Sequence, residues 1–117
     1  MRAFTFLLGC SLAATPVAAQ KAEIGYPAGS LGFEAIMKSD FATAERQIRQ
    51  SGLSKYDPGR AFNLGLVLAK TGRTDAATKQ FMRVLAEDEV ELILADDSSM
   101  GSHEAARRAL AALSVRR

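Results

Sequence analysis

The chain has 117 residues and a formal charge of +2, from 15 basic and 13 acidic side chains. A charge so close to neutral argues against general nucleic-acid binding, which usually needs a strongly basic face. A single cysteine excludes a disulfide within the chain, and the absence of tryptophan leaves alanine, leucine, isoleucine, valine and six phenylalanines to build the core. This composition predicts one domain of closely packed helices.

The N-terminus has the layout of a secretory leader. An apolar run over residues 3–14 follows a basic residue, Thr15-Pro16 interrupts the run, and Val17-Ala18-Ala19 offers small residues for cleavage. The run is too short to span a bilayer comfortably. We predict a signal peptide over residues 1–19, cleaved near Ala19, and a periplasmic or secreted chain with no membrane span. A buried N-terminal helix is the alternative.

Cys10 ends a Leu-Leu-Gly-Cys stretch that resembles the bacterial lipoprotein processing box, in which the cysteine carries the lipid. The apolar run before it has about six residues, which is short for a run that is typically about 7–15 residues long. We therefore expect no lipid anchor at Cys10. Cleavage after Ala19 would remove Cys10 and leave 98 residues of charge +1, with no thiol chemistry.

The first helical region follows a predicted flexible arm over residues 20–30, which contain Gly25, Pro27 and Gly29. A helix is expected over residues 31–38, and its buried side chains would be Phe33, Ile36 and Met37. Asp40 can cap a second helix over residues 41–50, because its carboxylate can accept hydrogen bonds from the free N–H groups of the first turn. Gly52 would end that second helix.

The stretch from residue 61 to residue 85 predicts two helices hinged at Gly72. Asp57 and Pro58 form a start signal for the first helix, Gly72 suits the left-handed residue that ends it, and Thr74 can cap the next. Each helix has an apolar stripe at helical spacing, namely Ala61, Leu64, Gly65 and Leu68, then Ala77, Phe81, Val84 and Leu85. The small Gly65 and Ala77 would let the backbones approach, while Leu64, Leu68 and Phe81 fill the seam.

Residues 87–97 hold six acidic side chains and no basic one, around Val90, Leu92, Ile93 and Leu94. Acids at a helix C-terminus oppose the helix dipole, so the preceding helix should end near Ala86 or Glu87. The alternation of apolar residues is as compatible with a short extended segment near residues 90–94 as with further helix. Residues 96–101 have the composition of a loop, and a final helix is expected over residues 102–115.

The central pair of helices has a second copy 33 residues upstream. Leu31-Gly32 aligns with Leu64-Gly65, Ser39 with Gly72, Ala44 with Ala77, Gln47 with Gln80, and Ile48 with Phe81. Pro27 would truncate the first helix of the upstream copy. A third, partial copy of the turn and second helix runs through Gly101, His103, Ala106, Leu110 and Leu113.

These units resemble the tetratricopeptide repeat, a helix–turn–helix unit of about 34 residues. The resemblance rests on Leu64-Gly65, the turn glycine Gly72, the small Ala77 and the aromatic Phe81. The chain departs from the family at Ala61, Leu68, Val84 and Glu89, where an aromatic residue, a tyrosine, an alanine and a proline are usual. The resemblance implies an all-α fold of antiparallel helix–turn–helix repeats, with about five helices, over residues 31–115.

The resemblance also implies a binding surface. Peptide-binding members of the family often carry an asparagine just before the Leu-Gly pair, where it bonds the backbone of the ligand on the concave face. Asn63 occupies that position, and Phe62, Leu66 and Lys70 would lie near it as exposed members of the groove. The cationic side chains that clamp a terminal carboxylate in some members are not evident. A solvated polar residue is the other interpretation of Asn63.

His103 offers the only superficial sign of catalysis, since Asp96, Asp97, Ser99, Ser102 and Glu104 are close to it in sequence. Adjacency in one loop does not make a catalytic geometry, so we expect Ser102 to cap a helix and His103 to be solvated. The acidic cluster lacks the ligand spacing of a calcium loop. We therefore predict no catalytic residue, no cofactor and no metal.

These features together predict a non-enzymatic interaction module of the periplasm or secreted space, which binds a protein or peptide segment in a tetratricopeptide-like groove. A self-associating scaffold is the alternative, because two and a half repeats are fewer than a stable solenoid usually needs. A small hydrolase is a third hypothesis, and it rests only on the loop around His103.

Overall fold

A computed structural model describes Ala19 and residues 26–115 of the chain. This part of the chain contains five helices and one two-stranded antiparallel sheet. The elements in chain order are α1 (Phe33–Met37), α2 (Phe41–Arg49), α3 (Pro58–Lys70), α4 (Thr74–Ala86), β1 (Glu91–Ile93), β2 (Ser99–Gly101) and α5 (Ser102–Val115). The predicted signal peptide and Cys10 lie outside the described residues, apart from Ala19, which is buried.

The predicted helix boundaries are largely confirmed by capping contacts. The Asp40 carboxylate accepts a hydrogen bond from the Thr43 N–H at 3.3 Å, and Asp57 does the same for the Arg60 N–H at 2.9 Å. Both contacts satisfy first-turn donors that have no partner within the helix. Gly72 follows α3 with a φ of 81°, the left-handed conformation that ends a helix without a Cβ penalty.

The prediction that Thr74 caps α4 is wrong. Thr74 is the first residue of the helix, Arg73 occupies the N-cap position, and no side chain caps the first turn. The side chain of Arg73 instead donates to Glu45 at 2.6 Å, and Glu45 also accepts from Arg49 at 2.9 Å. Glu45 therefore links α2 to the start of α4.

The seam between α3 and α4 is packed as predicted. Leu64, Leu68 and Phe81 are fully buried in it. A Cβ atom on Gly65 would lie only 2.6 Å from Cε1 of Phe81, which is far closer than real Cβ atoms approach a neighbour. The glycine is thus required because the Phe81 ring lies directly against the α3 backbone.

The first helix pair has a similar contact 33 residues earlier, although Gly32 lies at the N-cap of α1 and not within the helix as Gly65 does. A Cβ atom on Gly32 would lie 3.2 Å from both Cγ1 and Cδ1 of Ile48, the residue that aligns with Phe81. Ser39, which aligns with Gly72, has a φ of 59° and turns the chain in the same left-handed conformation. Each pair therefore places a glycine against a large apolar side chain of its second helix.

Helix α1 is shorter than predicted, with five residues instead of a span over residues 31–38. Gly32 has a φ of 64°, which breaks the helical backbone before Phe33. The expected burial is wrong for Met37, whose side chain is exposed, whereas Phe33 and Ile36 are half-buried. Ala35 is the buried residue of α1, because a single turn presents only one narrow face to the core.

The C-terminal region contains a β-hairpin, so the described chain is helix-rich with a small sheet and is not all-α. Leu92 pairs with Met100 across the antiparallel strands β1 and β2. The extended interpretation of residues 90–94 is therefore confirmed, whereas the predicted loop over residues 96–101 is wrong at Ser99–Gly101. Helix α5 has the predicted bounds. None of the helices in the described ranges combines the length and the apolar content that a bilayer crossing requires.

Candidate functional site

The predicted groove residues do not share one exposed face of α3. Phe62 and Asn63 are both 0% exposed, so the expectation that they line an open groove is wrong. The Phe62 ring lies 5.9 Å from the Phe81 ring, centroid to centroid, and belongs to the core. Leu66 is half-buried against the core, and Lys70 alone is fully exposed.

Asn63 is buried because the chain before α1 folds across α3. Its side-chain Nδ2 donates a hydrogen bond of 2.9 Å to the backbone carbonyl of Leu31, which is itself fully buried. Leu31 lies just before α1, so its carbonyl is not part of the regular hydrogen bonding of that helix. Asn63 is therefore neither a solvated residue nor an open ligand contact, since it bonds the backbone of its own chain.

Tyr26 forms a second link between the start of the described chain and α3. Its hydroxyl donates to the carboxylate of Asp57, with distances of 3.0 and 3.2 Å to the two oxygens. Burial of the ring, followed by the hydrogen bond and the negative charge of Asp57, raises the pKa of Tyr26 to about 12. The described part of the predicted arm, residues 26–30, is therefore held against α3 by two contacts. Tyr26 bonds Asp57 at the start of α3, and Leu31, which follows the arm, bonds Asn63 within α3.

A neutral cleft of about 340 Å³ lies between this part of the arm and the C-terminal end of α2. Its lining includes the side chains of Ser30, Gln47, Gln50 and Ser51. The hydroxyl of Ser30 is buried and has no hydrogen-bond partner. The cleft thus offers amide and hydroxyl groups but no charged group.

A cluster of cations that the sequence did not indicate lies where α3 begins and α4 ends. We call Lys55, Tyr56, Arg60 and Arg83 the cationic patch. The Lys55 Nζ lies 5.3 Å from the centroid of the Tyr56 ring, and the Arg83 Cζ lies 6.0 Å from it, both at cation–π distance. The fold brings these residues together, because Lys55 and Tyr56 precede α3 while Arg83 lies in the last turn of α4.

Arg60 is the least compensated member of the cationic patch. Its Nε is buried and has no hydrogen-bond partner. Burial lowers the pKa of Arg60, and the positive charges of Arg49 and Arg83 lower it further, with Asp57 acting in the opposite direction. Among the described residues, no carboxylate forms an ion pair with Lys55, Arg60 or Arg83.

Next to the cationic patch lies an acidic segment, which we define as residues 87–91. Its carboxylates belong to Glu87, Asp88, Glu89 and Glu91, and the last three of these residues are exposed. None of the four pairs with a cation in the part of the chain that the structure describes. Charges of both signs are therefore left unpaired on neighbouring surfaces of the molecule.

The residues around His103 have structural roles. The buried hydroxyl of Ser102 accepts a hydrogen bond from the Val90 N–H at 2.9 Å, so it joins α5 to the strand region. The Nε2 of His103 lies 2.7 Å from the carbonyl oxygen of Glu87, to which it must donate. His103 is thus half-buried and bonded, and the expectation that it is solvated is wrong. No metal-binding group of three or more His, Cys, Asp or Glu is found in the described ranges.

No protein-family model, curated protein or solved structure matches the chain. The alignment of its two helix pairs, 33 residues apart in sequence, therefore remains as the evidence for its role.

Proposed function

We propose that the chain is a tetratricopeptide-like interaction module, which binds another protein without catalysing a reaction and acts in the periplasm or outside the cell. The repeated packing of the two helix pairs carries this proposal. Repeats of this kind stack antiparallel helices and leave an extended surface, which they use for binding. The leader-like N-terminus supports the proposed compartment.

Two equivalent contacts support the repeat assignment. The pairs Gly32–Ile48 and Gly65–Phe81 have the same spacing in sequence, and in each a glycine lies against an apolar side chain of the second helix. Gly32 precedes its helix, whereas Gly65 lies within its own. The turns at Ser39 and Gly72 share a left-handed backbone. Local propensity alone does not produce this agreement, because Ser is not a residue that favours a positive φ.

The surroundings of His103 favour a binding role over hydrolysis. A general base needs a nitrogen that is free to accept a proton from the nucleophile. Nε2 of His103 donates to the Glu87 carbonyl, which leaves only Nδ1 to accept a proton, and the hydroxyl of Ser102 is buried in a contact with the Val90 N–H. The hydrolase hypothesis would require the buried Ser102 hydroxyl to leave the contact with Val90 that joins α5 to the preceding segment.

The exposed part of the predicted groove is reduced to the edge formed by Leu66 and Lys70. We therefore place the proposed contact with a partner at this edge and on surfaces outside it. Lys79 on α4 provides a matched control, because it is also an exposed lysine of a long helix.

The binding proposal can be tested by capture from the periplasmic fraction of the native host. The wild-type chain and its Lys79→Glu variant should retain the same protein, whereas Lys70→Glu should retain less of it. Loss with Lys79→Glu and retention with Lys70→Glu would move the contact away from the α3 edge. Failure of the wild-type chain to retain any protein would contradict the proposed role.

The compartment can be tested separately by mass spectrometry of the protein from its host. We expect an N-terminus at or near Gln20. An intact Met1 in the cytosolic fraction would contradict export, and a fatty acid on Cys10 would show that the chain is a lipoprotein.

A further inference from the structure

We propose that the cationic patch binds the acidic segment of a second copy of this chain, so that two copies form a two-fold symmetric dimer. The inference rests on the proposed role as an interaction module, and it names one partner and the surface that binds it. Four observations support it. They concern the cations without an ion-pair partner, the acids without one, the exposed apolar residues in or beside the two surfaces, and the relative placement of these surfaces.

No carboxylate of the described residues forms an ion pair with a cation of the patch, and the nearby Asp57 only partly offsets the effect of burial on the pKa of Arg60. A half-buried guanidinium without a carboxylate partner is costly, because it has lost part of its hydration without gaining an ion pair. Arg60 has this environment, and its buried Nε is also without a hydrogen-bond acceptor. Carboxylates from another molecule would supply the missing negative charge at the exposed Lys55 and at the solvent-facing parts of the half-buried Arg60 and Arg83.

The acidic segment carries negative charges that have no ion-pair partner among the described residues. Asp88, Glu89 and Glu91 are exposed, and no cation of the described residues pairs with them. Like charges so close together repel each other, and a surface of opposite charge would relieve that repulsion. The cationic patch is such a surface, and every copy of the chain carries it.

Exposed apolar side chains lie in both surfaces. Tyr56 in the cationic patch is 54% exposed, Met82 beside Arg83 is 52% exposed, and Val90 in the acidic segment is 39% exposed. Tyrosine, methionine and arginine are the residue types that protein interfaces favour. Contact between the two surfaces would therefore remove apolar area from water as well as pair the charges.

The placement of the two surfaces favours a closed dimer over a chain of molecules. Arg83 lies in the last turn of α4 and Glu87 directly follows the helix, so they are about 6 Å apart along the helix axis at about 1.5 Å per residue. A two-fold axis beside this end of α4 brings the patch of each copy onto the acids of the other. Both contacts then form in one interface, as in other isologous dimers.

Sedimentation equilibrium of the chain, purified as its host processes it, provides the first test. We expect a monomer–dimer equilibrium in dilute salt that shifts toward monomer in concentrated salt. The reason is that the screening length falls from about 10 Å at 0.1 M salt to about 3 Å at 1 M. A wild-type chain that stays monomeric in dilute salt at high protein concentration would overturn the inference.

Charge reversal provides the sharper test. The patch-reversed variant is Lys55→Glu with Arg83→Glu, and the segment-reversed variant is Asp88→Lys with Glu91→Lys. Each variant places like charges at both contacts of the dimer, so each should self-associate at least about tenfold more weakly than the wild type. An equimolar mixture should form a heterodimer, because opposite charges then meet at both contacts.

A control variant, Lys38→Glu with Lys79→Glu, makes the same change in net charge as the patch-reversed variant, at exposed positions outside both surfaces. It should dimerise like the wild type, and thermal melting should show that all variants are folded. Failure of the mixture to associate, or an equal loss in the control, would overturn the inference. If the chain is monomeric but still captures a partner protein, the dimer inference is wrong and the proposed function is supported.

Discussion

In the central helix pair, the ring of Phe81 packs against Gly65 within α3, whereas in the first helix pair Ile48 packs against Gly32, the residue that precedes α1. The helices also differ in length, since α3 and α4 have 13 residues each while α1 has five. An isolated helix of one turn is unstable, because nucleation fixes several residues for one hydrogen bond. The first pair must therefore draw its stability from contacts with the central pair.

Three contacts provide that support. Asn63 bonds Leu31, Tyr26 bonds Asp57, and Glu45 on α2 bonds Arg73. The first residues in these contacts are in or just before the first helix pair, namely Leu31, Tyr26 and Glu45. Their partners Asn63, Asp57 and Arg73 are in the central pair or directly next to its helices. The comparison teaches that the same repeat spacing can specify two long helices in one place and a short unit that depends on its neighbour in another.

The largest effect is expected from removing the central ring. Phe81→Ala should cost about 3–5 kcal/mol, a large part of a typical domain stability of about 5–15 kcal/mol. Ile48→Ala at the equivalent position should cost less, because the Phe81 ring also contacts Phe62 and joins both long helices. Denaturant unfolding of the two variants measures the difference. An equal or larger cost for Ile48→Ala would show that the first pair is not the dependent one.

The next largest loss of stability is expected from removing the hydrogen bond between Asn63 and Leu31, which links the two helix pairs. Asn63→Ala should cost about 1–3 kcal/mol, because it leaves the buried Leu31 carbonyl without the hydrogen bond that Asn63 donates. Gln47→Ala is the matched control, since Gln47 is an exposed amide on α2, and it should change stability by less than about 0.5 kcal/mol. Equal melting temperatures for the two variants would contradict the structural role of Asn63.

Asn63 also shows where sequence reasoning reaches its limit. Signals that can be read within one helix predicted the structure well. Examples are the caps at Asp40 and Asp57, and the apolar stripes of α3 and α4 that form the seam around Phe81. Burial of Asn63 depends on the path of residues 26–31 across α3, and no local pattern encodes that path. An asparagine on a helix looks the same in sequence whether solvent, a ligand or its own chain covers it.

The cationic patch was missed for a related reason. Its residues are spread over the loop before α3, the first turn of α3 and the last turn of α4. Each cation alone looks like an ordinary solvated residue. Only the packing of α3 against α4 shows that Lys55 and Arg83 lie against one tyrosine, that Arg60 is close enough to Arg83 for their charges to interact, and that no carboxylate of the described residues forms an ion pair with these cations. The stretch Lys55-Tyr56 before a helix start was the one local signal available.

The matched turns should respond to substitution with opposite signs. Ser39 has a φ of 59° and Gly72 a φ of 81°, and a left-handed residue with a Cβ costs about 1–2 kcal/mol. Gly72→Ala should therefore destabilise the chain by about 1 kcal/mol, since no atom lies within 4 Å of the added Cβ and only the backbone cost remains. Ser39→Gly should stabilise it by less than about 1 kcal/mol, because the added freedom of the unfolded chain offsets part of the gain. Changes of the same sign in the two melting temperatures would show that the turns are not equivalent.

The smallest effect is expected at Tyr26, and it should depend on pH. The pKa of Tyr26 is raised from 10.0 to about 12 in the folded chain, so the folded state holds the proton more tightly than the unfolded state does. The stabilisation is then fully present below pH 10 and is lost as the pH rises toward about 12. Above that range a phenolate would face the carboxylate of Asp57, and the two negative charges would repel each other.

Tyr26→Phe removes the hydroxyl and with it this pH dependence, while the ring keeps its packing. The wild type should be more stable than Tyr26→Phe below pH 10, and the gap between their unfolding midpoints should narrow as the pH approaches 12. The difference between the two proteins cancels the contributions of every titratable group that both proteins share. A gap that stays constant over this range would mean that the Tyr26 hydroxyl does not bond Asp57. Of the two contacts that hold residues 26–31 against α3, only the hydrogen bond between Asn63 and Leu31 would then remain.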